Sequence, residues 1–200
     1  MKKILFAIAS AFVALTATAS NVEKIQFANK GDMALGIMVG MPAYDGANMP
    51  QVSLDAMWGL KDGFCNTKTF GQNGAIDLGV YVGFCQYGDT WEEAGVKYKH
   101  SYWELPLAVR CGFNWEFVKK LDVYAGFQGG CAIEHWMDKV KVNGENERTS
   151  GNHCDGIFGM YCGAKWMFTD VFGVKLEWSG DWVGDGNDMS PIAGGVTFNF

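Results

Sequence analysis

The sequence predicts an all-β fold: an eight-stranded antiparallel up-and-down transmembrane β-barrel. Three observations predict it. About eight stretches alternate bulky apolar residues with small or charged ones, the period-two signature of strands. The less bulky face is mostly Gly, Ala and Tyr with isolated charges, which suits a narrow polar interior better than a watery exterior. The chain ends on Val196-Thr197-Phe198-Asn199-Phe200, an alternating strand closed by Phe.

The first stretch sets Met33, Leu35, Ile37, Val39 and Met41 against Ala34, Gly36, Met38 and Gly40. The second sets Val52, Leu54, Ala56, Trp58 and Leu60 against Ser53, Asp55, Met57, Gly59 and Lys61. The third opposes Ile76, Leu78, Val80, Val82 and Phe84 to Asp77, Gly79, Tyr81 and Gly83. The fourth runs from Trp103 to Phe113 with Glu104, Pro106, Ala108, Arg110 and Gly112 on its second face. Pro106 removes a ladder donor there, so a local bulge is expected. The fifth runs from Leu121 to Gln128, the sixth from Phe158 to Trp166, the seventh from Phe172 to Ser179 and the eighth from Ile192 to Phe200. Each approximates the roughly 9–11 residues of a tilted spanning strand.

Connection lengths alternate as well. With the amino terminus on the periplasmic side, the outer connections are 42–51, 85–101, 134–154 and 182–191, and the inner ones 62–74, 114–120 and 169–170. Long outside and short inside is the bacterial arrangement. The exception is 62–74, into which strands two and three are free to extend. Aromatics near stretch ends, among them Trp103, Phe113, Trp115, Trp166, Phe168, Phe172, Trp178, Trp182, Phe198 and Phe200, are placed for interfacial girdles.

The amino terminus reads as an export signal. Met1-Lys2-Lys3 precedes an apolar run from Ile4 to Leu15 and the small-x-small site Ala17-Thr18-Ala19. Residues 1–19 are therefore expected to be a signal peptide and 20–200 a single barrel domain. Without Lys2 and Lys3, 14 basic residues face 22 acidic ones, a net charge of 14 − 22 = −8. Such a chain is a poor nucleic-acid binder, since phosphate affinity needs clustered Lys and Arg. With 27 Gly but only 4 Pro, it is not a disordered Pro/Gly tract.

Four segments carry a family resemblance: Gly74-Ala75-Ile76-Asp77-Leu78-Gly79-Val80-Tyr81; Glu104-Leu105-Pro106-Leu107 leading to Arg110; Lys120-Leu121-Asp122-Val123-Tyr124-Ala125-Gly126; and the Phe-ended last strand. Through them the chain resembles the small outer-membrane β-barrel, or porin-family, proteins of the Bacteroides group. The resemblance implies fold and location. It brings over no catalytic residue.

The candidate chemistry is mostly inside. Asp55, Lys61, Asp77, Glu104, Arg110, Asp122, Lys165, Lys175 and Glu177, with Asp181, fall on the small-residue face. The interior of an eight-stranded barrel is just wide enough for side chains, so these charges are expected to form a structural lumen network. Arg110 should meet Asp77, Glu104 or Asp122. Lys99-His100-Ser101 offers a base and a nucleophile, but neighbours on a strand face opposite sides. Six Cys in an exported chain invite disulfides, and Cys131 with Cys154, which bracket the third outer connection, are the candidate pair, with free thiols as the alternative. Cys111 and Cys162 read as small hydrophobes on the apolar face, and Cys65 and Cys85 sit near opposite rims. A zinc set from Cys131, His135, His153 and Cys154 has poor spacing, so no metal is expected.

The resulting expectation is an integral bacterial outer-membrane protein without a cofactor and without enzymatic activity. It has a filled polar lumen and a structural or surface-interaction role through its outer loops. Its partners would be outer-membrane lipid, the barrel-assembly machinery through Phe200, and an extracellular partner. Asp138-Lys139-Val140-Lys141-Val142-Asn143-Gly144, a sequence able to extend a hairpin beyond the membrane, is the natural contact surface. The alternatives are a small porin or transporter, a lipid A-modifying enzyme, and a soluble lipocalin-like barrel.

Overall fold

A computed structural model describes residues 30–41, 49–64, 74–118, 120–142, 145–182 and 189–200. The segment 1–19 expected to be a signal peptide, Cys65 and most of the 62–74 connection lie outside the described residues. Eight strands follow one another: β1 (Met33–Gly40), β2 (Gln51–Phe64), β3 (Gly74–Glu93), β4 (Val96–Val118), β5 (Leu121–Val142), β6 (Glu145–Met167), β7 (Phe172–Asp181) and β8 (Ile192–Asn199). Each pairs antiparallel with its sequence neighbours, and β8 returns to β1, closing the ring. The seam aligns Ala34 with Asn199 and Gly40 with Ala193. At its end Met33 and Phe200 exchange two backbone hydrogen bonds of 3.0 and 2.8 Å. Closure leaves no unpaired sheet edge around the barrel body, which removes the main cost of placing backbone in an apolar medium.

The alternation read from sequence is the alternation of faces. Leu54, Val80, Val109, Phe127, Phe158 and Leu176 point outward and are exposed, while Asp55, Asp77, Arg110, Asp122, Lys165, Lys175 and Glu177 point inward and are buried. A soluble barrel has the opposite polarity. Aromatics collect at both ends of this apolar belt. Trp182 packs on Phe127 and Phe158, and Phe172 packs on Phe168 and Phe198.

Three expectations need correction. Lys61 is not in the lumen. Gly59 pairs with Asp77 but Lys61 pairs with Ile76, so β2 spends two residues against one of β3. This bulge reverses the alternation and sends Lys61 outward, exposed, with its ammonium 5.4 Å from the Phe64 ring. Pro106 makes no bulge. Val82 pairs with Leu107 and Cys85 with Glu104, so the register is the same on both sides of it, and Pro106 pairs with Ala132 without a shift. The ladder loses the donor but keeps its alignment.

The third correction concerns length. The supposed outer connections 85–101 and 134–154 are largely strand. β3 to β6 run 20, 23, 22 and 23 residues, far longer than β1 or β8 at 8. Only Ala94 and Gly95, both at positive φ (52° and 79°), separate β3 from β4. At the end opposite the termini, β2 begins at Gln51 and β7 ends at Asp181. Four strands thus continue beyond the ring as a protruding sheet.

Candidate functional site

The lumen is filled by layers. The middle layer is a neutral quartet of Arg110, Lys175, Asp55 and Glu177, all buried. Arg110 Nη2 lies 2.9 Å from Glu177 and Nη1 4.0 Å from Asp55, and its Nε donates to Gln128 at 3.0 Å. Lys175 Nζ donates to Asp55 at 2.7 Å and lies 3.4 Å from Glu177. Tyr124 and Ser179 hydroxyls also donate to Glu177, at 3.1 and 3.2 Å. The Arg110 guanidinium is sandwiched between the rings of Tyr81 and Tyr161, 4.1 and 4.5 Å from their centroids. Planar, weakly hydrated guanidinium suits such a dry stacked slot better than ammonium does.

Toward the termini lies a second polar layer. Lys165 Nζ is 3.7 Å from Asp122, and the Asn114 amide donates to Asp77. Among the described residues, two small cavities of about 20 and 10 Å³ lie between these layers and the mouth, and Lys165 lines both. The larger holds about one water. Toward the other end the ionic layer is capped by apolar side chains: Met38, Ala108, Ala132, Ile157, Ala193 and Met189, the last from the β7–β8 connection. The neighbouring Ser190 hydroxyl donates to the Met41 carbonyl at 2.7 Å and fixes that connection in the mouth. Glycine creates the room. A Cβ on Gly112 or Gly126 would strike the Tyr161 side chain, and one on Gly36 would strike the Asp55 carboxylate.

The structure brings together Asp55, Arg110, Lys175 and Glu177, and separately Asp122 with Lys165. Arg110 meets Glu177 and Asp55, from β7 and β2, rather than Asp77, Glu104 or Asp122. Contacts across a lumen depend on the stagger of the closed ring, which strand-by-strand reading does not reveal. Glu104 stands higher, 3.7 Å from the Cys85 thiol, which itself points inward to Tyr87 at 3.2 Å. His100 faces inward and pairs with Asp138 at 2.5 Å, while Ser101 faces out, so base and hydroxyl do not converge. His153 points inward to Asp155 at 2.9 Å, on the opposite face from Cys131, His135 and Cys154. Cys131 and Cys154 are diagonal neighbours on β5 and β6, free thiols in hydrogen-bond contact.

The protruding sheet has two unlike faces. The inner one carries Tyr87, Trp91, Tyr98, Tyr102 and Trp136 beside the His100–Asp138 pair. Trp91 and Tyr98 stack with centroids 5.2 Å apart, and Trp136 lies over Gly151, its cross-strand partner. A hollow of about 330 Å³ opens among Trp91, Tyr98, His100, Asp138 and Val140, rimmed by Lys99 and Lys139.

Solved β-barrel proteins match the chain at low identity. The Ail attachment invasion locus protein of Yersinia pestis matches at 15% identity over 86% of this chain and 99% of that one, with a TM-score of 0.41. The N-terminal β-barrel domain of Pseudomonas aeruginosa OprF matches at 15% over 86% and 98%, TM-score 0.47. Neisserial surface protein A matches at 8% over 84% and 92%, TM-score 0.34. No family model matches the sequence, and no curated protein matches it.

Sequence reasoning missed the apolar cap and the inward Cys85. The signal for Cys85 was present: Asp77, Gly79, Tyr81, Gly83, Cys85 and Tyr87 continue one parity without a break. For Met189 no signal exists, since its position depends on how a connection folds back.

Proposed function

We propose that this chain is an integral bacterial outer-membrane protein, of the small barrel kind that the Bacteroides-group resemblance implies. Its lumen serves structure and its protruding sheet serves contact. One observation supports this reading above the others. A closed ring hides charge and shows apolar side chains, an arrangement stable in lipid and unfavourable in water. The leader of residues 1–19 would direct export, and Phe200 on the last strand would be read by the assembly machinery. The filled lumen weighs against a porin, and the separation of His100 from Ser101 against a lipid A-modifying enzyme using that pair. The role is then non-enzymatic: a rigid anchor that holds four long strands above the membrane.

The mature chain is expected to fractionate with outer membranes. Unheated in detergent it should migrate faster than after boiling, since a closed barrel resists unfolding. Recovery as a soluble periplasmic monomer would overturn the reading.

The reading includes a Cys131–Cys154 cross-link in the exported protein. The two thiols would pass two electrons and two protons to a periplasmic disulfide oxidant, which leaves as its dithiol. Peptide mapping without reductant should then recover the β5 and β6 peptides joined, and finding both thiols alkylated would exclude the cross-link.

A further inference from the structure

The outer face of the protruding sheet concentrates positive charge. Lys99 on β4 lies opposite Lys139 on β5, which lies opposite Arg148 on β6. Two residues further from the ring, Lys97 lies opposite Lys141. All five share the outward parity and all are exposed. At ordinary strand and residue spacings they occupy a patch roughly 10 Å by 7 Å. The pairs these rows make with β3 bring one acid, Glu92, opposite Lys97, while Thr90 faces Lys99.

Nothing in the fold calls for this. Like charges directly opposite on adjacent strands repel and weaken a sheet. The inner face of the same strands is arranged differently: there His100 meets Asp138 across the same two strands. The contrast is sharper because the expected mature chain is acidic and the patch takes five of its 14 basic residues. A surface that accepts repulsion in isolation is complementary to an anion.

Position identifies the source of that anion. The cationic face continues the lipid-facing surface of the barrel, not the mouth of the lumen. Below the Lys99 row come Ser101, Met137 and Ser150, then Trp103, His135 and Asn152, then Leu105 and Ile133 at the top of the apolar belt. The Trp103 ring packs at a tilt on His135, which hydrogen-bonds Asn152 at 2.6 Å, a half-polar row suited to the membrane interface. Four residues along a strand tilted about 40° rise roughly 10 Å from the Trp103 row to the Lys99 row. That height matches the headgroup zone above the hydrocarbon, within reach of flexible lysines.

We propose that Lys97, Lys99, Lys139, Lys141 and Arg148 form a binding surface for phosphate groups of glycolipid headgroups in the surrounding outer leaflet. The inference rests on the outer-membrane reading. Fractionation decides that reading separately, whereas the binding test uses purified full-length mature protein in zwitterionic micelles and does not depend on it.

The probes are diphosphoryl lipid A, its dephosphorylated counterpart and a soluble sulfated oligosaccharide, each followed by tryptophan fluorescence. Diphosphoryl lipid A should bind on the order of 10-fold or more tightly than the dephosphorylated form, with the difference shrinking as salt rises. The combined variant Lys99→Gln, Lys139→Gln and Arg148→Gln should lose that preference while unfolding at the same or a higher temperature, because repulsion is relieved. Lys99→Arg with Lys139→Arg should keep it. Equal binding of the two lipid A forms would overturn the proposal, as would a Gln variant that keeps the preference. Sulfated oligosaccharide binding as tightly as diphosphoryl lipid A would overturn the assignment to the leaflet and point to a soluble polyanion.

Discussion

Arg110→Ala is expected to cost the folded barrel about 3–5 kcal/mol, the loss typical when one partner of a buried ion pair is removed. Arg110 is fully buried, and its removal leaves Glu177 and Asp55 with Lys175 alone to balance two carboxylates. It also empties the slot between Tyr81 and Tyr161. Loss of the fast-migrating gel form at lower temperature, or at lower urea, measures the effect. Adding Glu177→Gln to Arg110→Ala should recover part of the loss, since charge then leaves in a pair, and strict additivity of the two single changes would show that they do not act together. An Arg110→Ala barrel as resistant as the parent would contradict the buried quartet.

Purified monomers in planar bilayers are expected to pass no steady current. The reason is steric before it is electrostatic. Eight strands leave a bore that side chains fill, and here the Arg110 layer is followed by the apolar layer of Met38, Ile157 and Met189. An ion would need to displace the paired charges and then pass the packed side chains of that cap. Reproducible large channels from monomeric protein would contradict the filled lumen and raise the porin alternative above the present reading.

The body of the barrel was legible because its rule is local. Inward and outward positions alternate with period two, and side chains of opposite polarity mark each face, so the places of Asp77, Asp122 and Lys175 follow from parity alone. Lys61 failed because parity is lost at a bulge, and Gly59-Leu60-Lys61 carries no residue that announces one. Pro106 failed in the other direction. A missing donor does not require a distortion here: the ladder tolerates one absent bond without shifting. The partners of Arg110 were not legible, since they depend on which strands face each other across the closed ring. The protruding sheet was partly legible. Lys139 to Asn143 suggested an extended hairpin, but segments such as 86–101, with two each of Gly, Glu and Lys, look the same as loops until their cross-strand partners are known.

The ring is uneven around its circumference, and this governs how it assembles. The β5–β6 hairpin aligns 22 residue pairs across a short connection, whereas the β1–β8 seam aligns 7 pairs between the two ends of the domain. Local pairing incurs little loop entropy, while the seam bears the full cost of bringing distant segments together. The long hairpins are therefore the early-forming units, and closure is the late step, resting on a ladder as short as that of β7–β8, 7 pairs each. In a ring of eight the seam also lies diametrically opposite the β4–β5 junction at the centre of the protruding sheet. Force or ligand applied to that sheet is received by the most extensively paired strands, half a circumference from the joint where the cylinder would first come apart.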